Sequence, residues 1–111
     1  MREALYVGPV PATRKLLERS GRRLDDFRVV ELNEAFAAQV LACFALYPEL
    51  AARRDIVNPN GSGISLGHPI GATGSIIAVK AINELRRVGG GLGLLTMCVG
   101  GGQGIAVAIE S

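Results

Sequence analysis

Apolar positions along this chain change period several times, and the changes mark its elements. After Pro9 and Pro11, which bracket Val10, Thr13 can cap or open a helix with a narrow apolar stripe at Leu16 and Leu17. Gly21 stops that helix, and Arg22-Arg23 form a solvated end. Asp25-Asp26 reads as a turn, and Phe27 to Leu32, centred on Val29 and Val30, as a short strand. From Glu34 to Tyr47 nearly every position is apolar, which predicts a helix covered on most sides, ending at Pro48. A polar connection with Arg53-Arg54-Asp55 leads to Ile56-Val57. Five glycines and two prolines, Pro59 and Pro69, among residues 58–74 exclude a regular element there. Ile64, Leu66 and Ile70 nevertheless give that stretch an apolar content that a flexible linker does not need, and it reads as an ordered, partly buried loop.

A third helix spans roughly Thr73 to Val88, with Ile76, Ile77, Ile82 and Leu85 on its apolar face and Arg86-Arg87 before the Gly89-Gly90-Gly91 stop. Leu92 to Met97 is a strand, Cys98 to Gly104 a tight connection, and Ile105 to Ile109 a last strand, almost wholly apolar and so expected to be covered on both faces. The order is helix, strand, helix, loop, helix, strand, strand. That is an α/β layering of three strands and covering helices, with a strand–helix–strand crossover and a closing hairpin. The chain shows no internal repeats.

Composition narrows the function classes. At 111 residues, 49% hydrophobic and 20% charged, the chain suits one domain with a real core and does not suit a disordered tail. Fifteen glycines without a Gly-X-Y period exclude collagen. A net charge of +2 is too small a surplus to argue for nucleic acid or a membrane surface, and the absence of Trp argues against a base-stacking platform. Cys43 and Cys98 cannot make a disulfide framework and fit a reducing compartment. Met1-Arg2-Glu3-Ala4-Leu5 opens no signal peptide, and the longest largely apolar stretch, Ala35 to Tyr47, falls well short of the ~20 residues that span a bilayer. A soluble, cytoplasmic protein is expected.

Chemically capable residues sit at three element ends. Asn33, between the first strand and the apolar helix, is a favoured helix N-cap; alternatively its amide could hold a water or a carbonyl oxygen. His68, the only histidine, stands before Pro69 among glycines that let backbone approach a ligand. A lone histidine is commonly structural, but one held rigidly before a helix can donate to a developing anion or polarise a thiol. The helix start Gly71-Ala72-Thr73-Gly74-Ser75 could bind an anion through free N–H groups, although it is no phosphate loop, lacking the Gly-Lys-Ser/Thr ending. Cys98 precedes three glycines that clear space beside its sulfur. It could work as a general acid or base if its pKa were lowered from about 8.5. Cys43, inside the apolar helix, reads as a buried small hydrophobe. A zinc site of Cys43, His68 and Cys98 fails on spacing. The pairs Arg22-Arg23, Arg53-Arg54 and Arg86-Arg87 could make a phosphate patch but more readily solvate element ends.

Asn33-Glu34-Ala35-Phe36, Gly67-His68-Pro69-Ile70-Gly71-Ala72-Thr73-Gly74 and Cys98-Val99-Gly100-Gly101-Gly102-Gln103-Gly104 are similar, in order and spacing, to the C-terminal motifs of thiolases, the acetyl-CoA acetyltransferases and 3-ketoacyl-CoA thiolases. Gly8-Pro9-Val10-Pro11-Ala12 resembles a stretch found upstream of them. The resemblance covers essentially the whole chain and implies a partial thiolase C-terminal domain over residues 1–111. It further implies that His68 activates a nucleophilic cysteine and helps form an oxyanion hole, that Asn33 holds the water completing that hole, that Cys98 moves the proton at the substrate α-carbon, and that the Gly100 N–H serves a second oxyanion hole. No cofactor is implied, because coenzyme A thioesters are the substrates. The implied partners are acyl-CoA, CoA, other copies in a homo-oligomer, and a thiolase N-terminal half that carries the nucleophile, since neither Cys43 nor Cys98 lies in the nucleophile's motif. The implied half-domain has five strands, the first two preceding Met1 and one of them central, so the three strands here are not expected to be neighbours. The alternative is a non-catalytic fragment or an interaction module that pairs with other thiolase chains.

Overall fold

A computed structural model describes residues 7–100 and 103–111. The readings placed on Met1 to Leu5 and on Gly101 and Gly102 lie outside the described residues. Helix α1 (Pro9–Ser20) opens with prolines in its first turn, where their missing N–H costs nothing, and closes on Gly21 at φ 68°. Thr13 lies inside this helix and is buried, so it neither caps nor opens it. A single 3₁₀ turn (Leu24–Asp26) leads into β1 (Phe27–Leu32), whose limits match the sequence reading.

The apolar helix is shorter than expected. Helix α2 runs Ala37–Leu46, because Asn33 to Phe36 leave the strand in a non-helical path. Only Gln39 and Cys43 are buried on it, while Leu41 and Leu46 are exposed, so this chain covers one face rather than most sides. Pro48, expected as a terminator, both ends α2 and starts the short helix α3 (Pro48–Ala51). Against the expectation of no regular element, the glycine-rich segment holds a short helix, α4 (Gly63–Leu66), closed at its start by the reciprocal Ser62–Ser65 capping box, and is followed by α5 (Thr73–Arg87), β2 (Leu92–Val99) and β3 (Gln103–Glu110). Ile64, Leu66 and Ile70 are 62%, 58% and 85% exposed, so the loop is ordered without being apolar inside.

The sheet order is β1-β2-β3. β1 runs parallel to β2, and β2 and β3 form the antiparallel hairpin. The expectation that the three strands would not be neighbours is therefore wrong for this chain: each is hydrogen-bonded directly to the next. The register explains the core. Phe27 faces Leu92 and Val29 faces Gly93, so Arg28 is an extra residue in β1. That bulge turns Phe27 onto the same face as Val30 and Leu32, where α1, α2 and Leu94 complete one apolar cluster. Val29 points the other way and packs with Leu95 against Ile77, Ala81 and Leu85 of α5. Helices thus lie on both faces of β1 and β2. At β3 only the α1 face is covered: Ala106 packs toward the first cluster, while Ile105 and Val107 on the α5 side remain exposed, against the expectation of two covered faces.

Backbone meets backbone where α1 enters the sheet. A Cβ on Gly104 would collide with the Gly8 carbonyl, and one on Gly8 would lie within 2.7 Å of the Gln103 carbonyl carbon. Only glycine at both positions permits this approach, which seats the start of α1 on the hairpin that follows Cys98.

Candidate active site

The ends of β1 and β2 and the glycine-rich segment meet on one side of the sheet. Asn58 begins that segment at φ 48° and acts as a strand in miniature. Its backbone N–H donates to Val30 O at 2.8 Å. Its side chain accepts from Leu32 N at 2.9 Å and donates to Leu32 O at 2.8 Å. The last strand residue before Asn33 is therefore bonded on both sides, although β1 has no further strand beyond it. Lys80 of α5 ties the segment down a second time. Its ammonium donates to Gly61 O at 2.6 Å and pairs with the buried Glu31 carboxylate at 2.9 Å. Burial pushes the Glu31 carboxyl above the ordinary carboxylate range, with the Lys80 ammonium opposing.

Asn33 sits at the junction these anchors hold. It is buried, and its backbone N–H still donates to Thr96 O at 3.0 Å, continuing the ladder by one residue. It is not the helix N-cap: Phe36 occupies that position, and α2 has no side-chain cap. Neither Asn33 Nδ2 nor Oδ1 has a hydrogen-bond partner among the described residues. An amide left wholly unpaired in the interior costs about 1–3 kcal/mol for each orphaned group, which favours a water or ligand oxygen as its complement. Gly63 keeps the space narrow, because a Cβ there would stand 2.6 Å from Glu34 O and 3.3 Å from Asn33 Oδ1. Glu34 in turn accepts from Ile64 N at 3.3 Å, steadying the start of α4.

An open cleft of about 360 Å³ lies beside this junction, lined by Ala35, Phe36, His68, Ile70, Met97, Cys98, Val99 and Gly100. Three of the four residues singled out from sequence share it. His68 comes from the glycine-rich segment, Cys98 from the end of β2 and Gly100 from the hairpin turn at φ 55°. Asn33 does not line the cleft but lies buried two residues before Ala35. Cys43 is buried in α2, and burial pushes its thiol up, as suits a packed hydrophobe. Burial also pushes the Cys98 thiol up, outweighing a backbone hydrogen bond that opposes it, so the lowered pKa on which an acid–base role was expected to depend is not found.

His68 is exposed, and its Nδ1 lies 2.6 Å from Thr73 Oγ1. Thr73 is buried at the first turn of α5, and its hydroxyl donates to Pro69 O at 3.0 Å. A Cβ on Gly67, Gly71 or Gly74 would meet nothing within 4 Å, so the surroundings of His68 are open in this chain. Sequence reasoning did not single out Asn58, Ser62, Gly63 or Thr73, which hold Asn33 and His68 in place. Asn58 before a proline and a threonine five residues after the lone histidine were the available signals. Among the described residues no helix is long and apolar enough to cross a membrane, and no three His, Cys, Asp or Glu gather as a metal site.

The family profile "Thiolase, C-terminal domain" matches residues 2–111. A beta-ketothiolase, BktB, of Cupriavidus necator is 59% identical over 108 residues, which are 97% of this chain and 27% of the relative. A 3-oxoadipyl-CoA/3-oxo-5,6-dehydrosuberyl-CoA thiolase of Escherichia coli is 52% identical over 106 residues, 94% of this chain and 26% of the relative. The crystal structure of a Bacillus anthracis acetyl-CoA acetyltransferase superposes with a TM-score of 0.88 at 51% identity, covering 96% of this chain and 26% of that one. This chain therefore spans about a quarter of the length of these relatives.

Proposed function

The chain belongs to the thiolase family, and on that premise we propose that its cleft is the C-terminal contribution to a thiolase site acting on 3-ketoacyl-CoA and CoA. The observation that carries this reading is that His68 and Cys98, from two separate glycine-rich segments, line one cleft together with Gly100. An N-terminal thiolase portion supplies the nucleophilic cysteine, and the cover over the open surroundings of Gly71 and Gly74. The enzyme works as a homo-oligomer in the cytoplasm, in fatty acid metabolism, without a cofactor beyond its CoA thioesters.

In the cleavage direction His68 accepts the proton of the nucleophilic thiol. The resulting thiolate adds to the ketone carbon, and the bond between that carbon and the α-carbon breaks. The electron pair left on the α-carbon takes the Cys98 proton, releasing acetyl-CoA; a thiol kept protonated by burial supports that donor role. The Cys98 thiolate then takes the proton of incoming CoA, whose sulfur displaces the nucleophile from the acyl group, and the departing thiolate recovers its proton from His68. A water held by the orphaned Asn33 amide and the Gly100 N–H would face the oxygens on which charge develops.

The test grafts residues 1–111 in place of the corresponding C-terminal part of the Cupriavidus necator relative. Thiolysis of acetoacetyl-CoA is expected to persist, and His68→Ala or Cys98→Ala to lower kcat/KM by about 10²–10⁴-fold. With acetyl-CoA as the acyl donor, whose transfer to the nucleophile needs no proton at carbon, mass spectrometry should find acyl-enzyme in the Cys98→Ala graft and little in the His68→Ala graft. A folded graft without turnover, or one indifferent to both changes, overturns the reading. The 111-residue chain alone is expected to be inactive. The second reading, a non-catalytic module that pairs with other thiolase chains, draws on the exposed Leu41, Leu46, Ile105 and Val107; binding of the chain to thiolase subunits without restored turnover would favour it.

A further inference from the structure

We propose that Thr73 is a positioning residue that holds His68 in its Nδ1–H tautomer and so leaves Nε2 as the proton-accepting nitrogen at the cleft. The assignment follows from counting one hydroxyl hydrogen. Thr73 Oγ1 lies 3.0 Å from Pro69 O and 2.6 Å from His68 Nδ1. If the hydroxyl gives its hydrogen to the carbonyl four residues back, a common habit of threonine in a helical turn, only its lone pairs face the ring. Nδ1 must then carry the hydrogen, and the hydroxyl both donates and accepts. If the hydroxyl instead donated to Nδ1, the Pro69 contact would go unused, and that carbonyl would keep only its backbone bonds from Ala72 and Thr73. The first allocation makes one more hydrogen bond from the same atoms.

The surroundings reinforce it. Thr73 is 2% exposed, so it does not touch a substrate and acts only through His68. Pro69 fixes the backbone between the two, and its carbonyl accepts from Ala72 N at 2.8 Å and Thr73 N at 3.0 Å, closing the turn that carries the ring to the helix start. An imidazole whose inward nitrogen is a donor presents a lone pair outward. That is the form needed to accept a proton from a thiol, whereas the Nε2–H form can only donate there. The tautomer stands on these contacts alone; its use in catalysis rests on the thiolase reading.

His68 is the only histidine, so a long-range proton–nitrogen-15 spectrum of the 111-residue chain reads one ring. In alkaline buffer the wild-type ring is expected as Nδ1–H, Thr73→Ser to preserve it, and Thr73→Val to convert it to mostly Nε2–H. In the grafted thiolase, Thr73→Val should lower kcat about tenfold with KM unchanged, and Thr73→Ser should restore it. An Nε2–H ring in a wild-type chain with dispersed amide signals, or a Thr73→Val ring unchanged from wild type, overturns the proposal. If the chain alone lacks dispersed signals, the kinetic arm decides, and wild-type kcat in the Thr73→Val graft overturns it. An Nδ1–H ring that Thr73→Val abolishes, beside an inactive graft, upholds the tautomer lock and removes the thiolase reading instead.

Discussion

Strands β1 and β3 carry similarly apolar sequences and end in opposite circumstances. Five of the six β1 residues are buried, Arg28 alone being exposed. No residue of β3 is buried. The difference comes from neighbours, not from side chains. β1 has α1 and α2 on one face and α5 on the other, and the Val57-Asn58 segment closes its free edge. β3 pairs with β2 on one side only, and Ile105 and Val107 stand 49% and 43% exposed. An apolar strand thus records that cover is needed somewhere; it does not say which chain segment supplies it. The catalytic candidates follow the same division. Asn33 is set by the closed region, whereas Cys98 and Gly100 sit where β2 passes into the open hairpin.

The hardest test of this contrast is a set of single truncations measured by urea unfolding. Phe27→Ala empties a fully buried site and should cost about 3–5 kcal/mol. Gly104→Ala forces a Cβ into the Gly8 backbone and should cost about 1–3 kcal/mol although β3 is exposed. Val107→Ala removes half-exposed methyl groups and should cost under about 1 kcal/mol. A Val107→Ala loss equal to that of Phe27→Ala would show β3 to be covered in solution, and the contrast would fall.

Much of the closed region was legible in the sequence. The β1 limits, the start of α5 at Thr73, the crossover and the closing hairpin all follow from periodicity and from Gly and Pro positions. What was not legible depends on contacts between distant segments. Asn33 has the residue type of an N-cap, but Asn58, Ser62 and Gly63 hold the chain around it in another path, and α2 begins only at Ala37. The bulge at Arg28 leaves no local mark either, because it exists only relative to the β2 register. That His68 and Cys98 share one cleft was expected from resemblance, whereas the Thr73 hydroxyl behind His68 was marked only by its spacing from the lone histidine.

A milder test concerns association. Exposed apolar side chains on an edge strand invite pairing with another copy. Sedimentation of the 111-residue chain is expected to show concentration-dependent self-association. Ile105→Lys with Val107→Lys should shift the distribution toward monomer, because charge on an edge opposes strand pairing. Arg28→Lys, on the closed strand, should leave the distribution unchanged. A wild-type chain that stays monomeric, with slow amide exchange along Ile105 to Ile109, would make β3 self-sufficient and remove the difference between the strands.

The smallest effect, and the most selective, is pH, because the two perturbed carboxylates both belong to the α5 side of β1. Glu84 accepts from Arg87 at 2.5 and 2.9 Å and from Asn60 at 3.0 Å, and these donors lower its carboxyl from the ordinary 4.5 to about 2. The folded chain therefore holds this proton less well than the unfolded chain. Its contribution to stability is present above pH 4.5 and is lost as the pH falls from there toward 2. Glu31 works with the opposite sign, since burial raises its carboxyl in the fold. Its contribution is complete below pH 4.5 and is lost as the pH rises through the raised value. Unfolding midpoints against pH should therefore fall on the acid side in wild type, and Glu84→Gln should flatten that limb. Glu31→Gln should remove a decline at higher pH while leaving the acid limb alone. If Glu84→Gln left the acid limb as steep as before, the Arg87 and Asn60 bonds would not survive in solution. The glycine-rich segment would then lose one of the anchors that hold it beside Asn33.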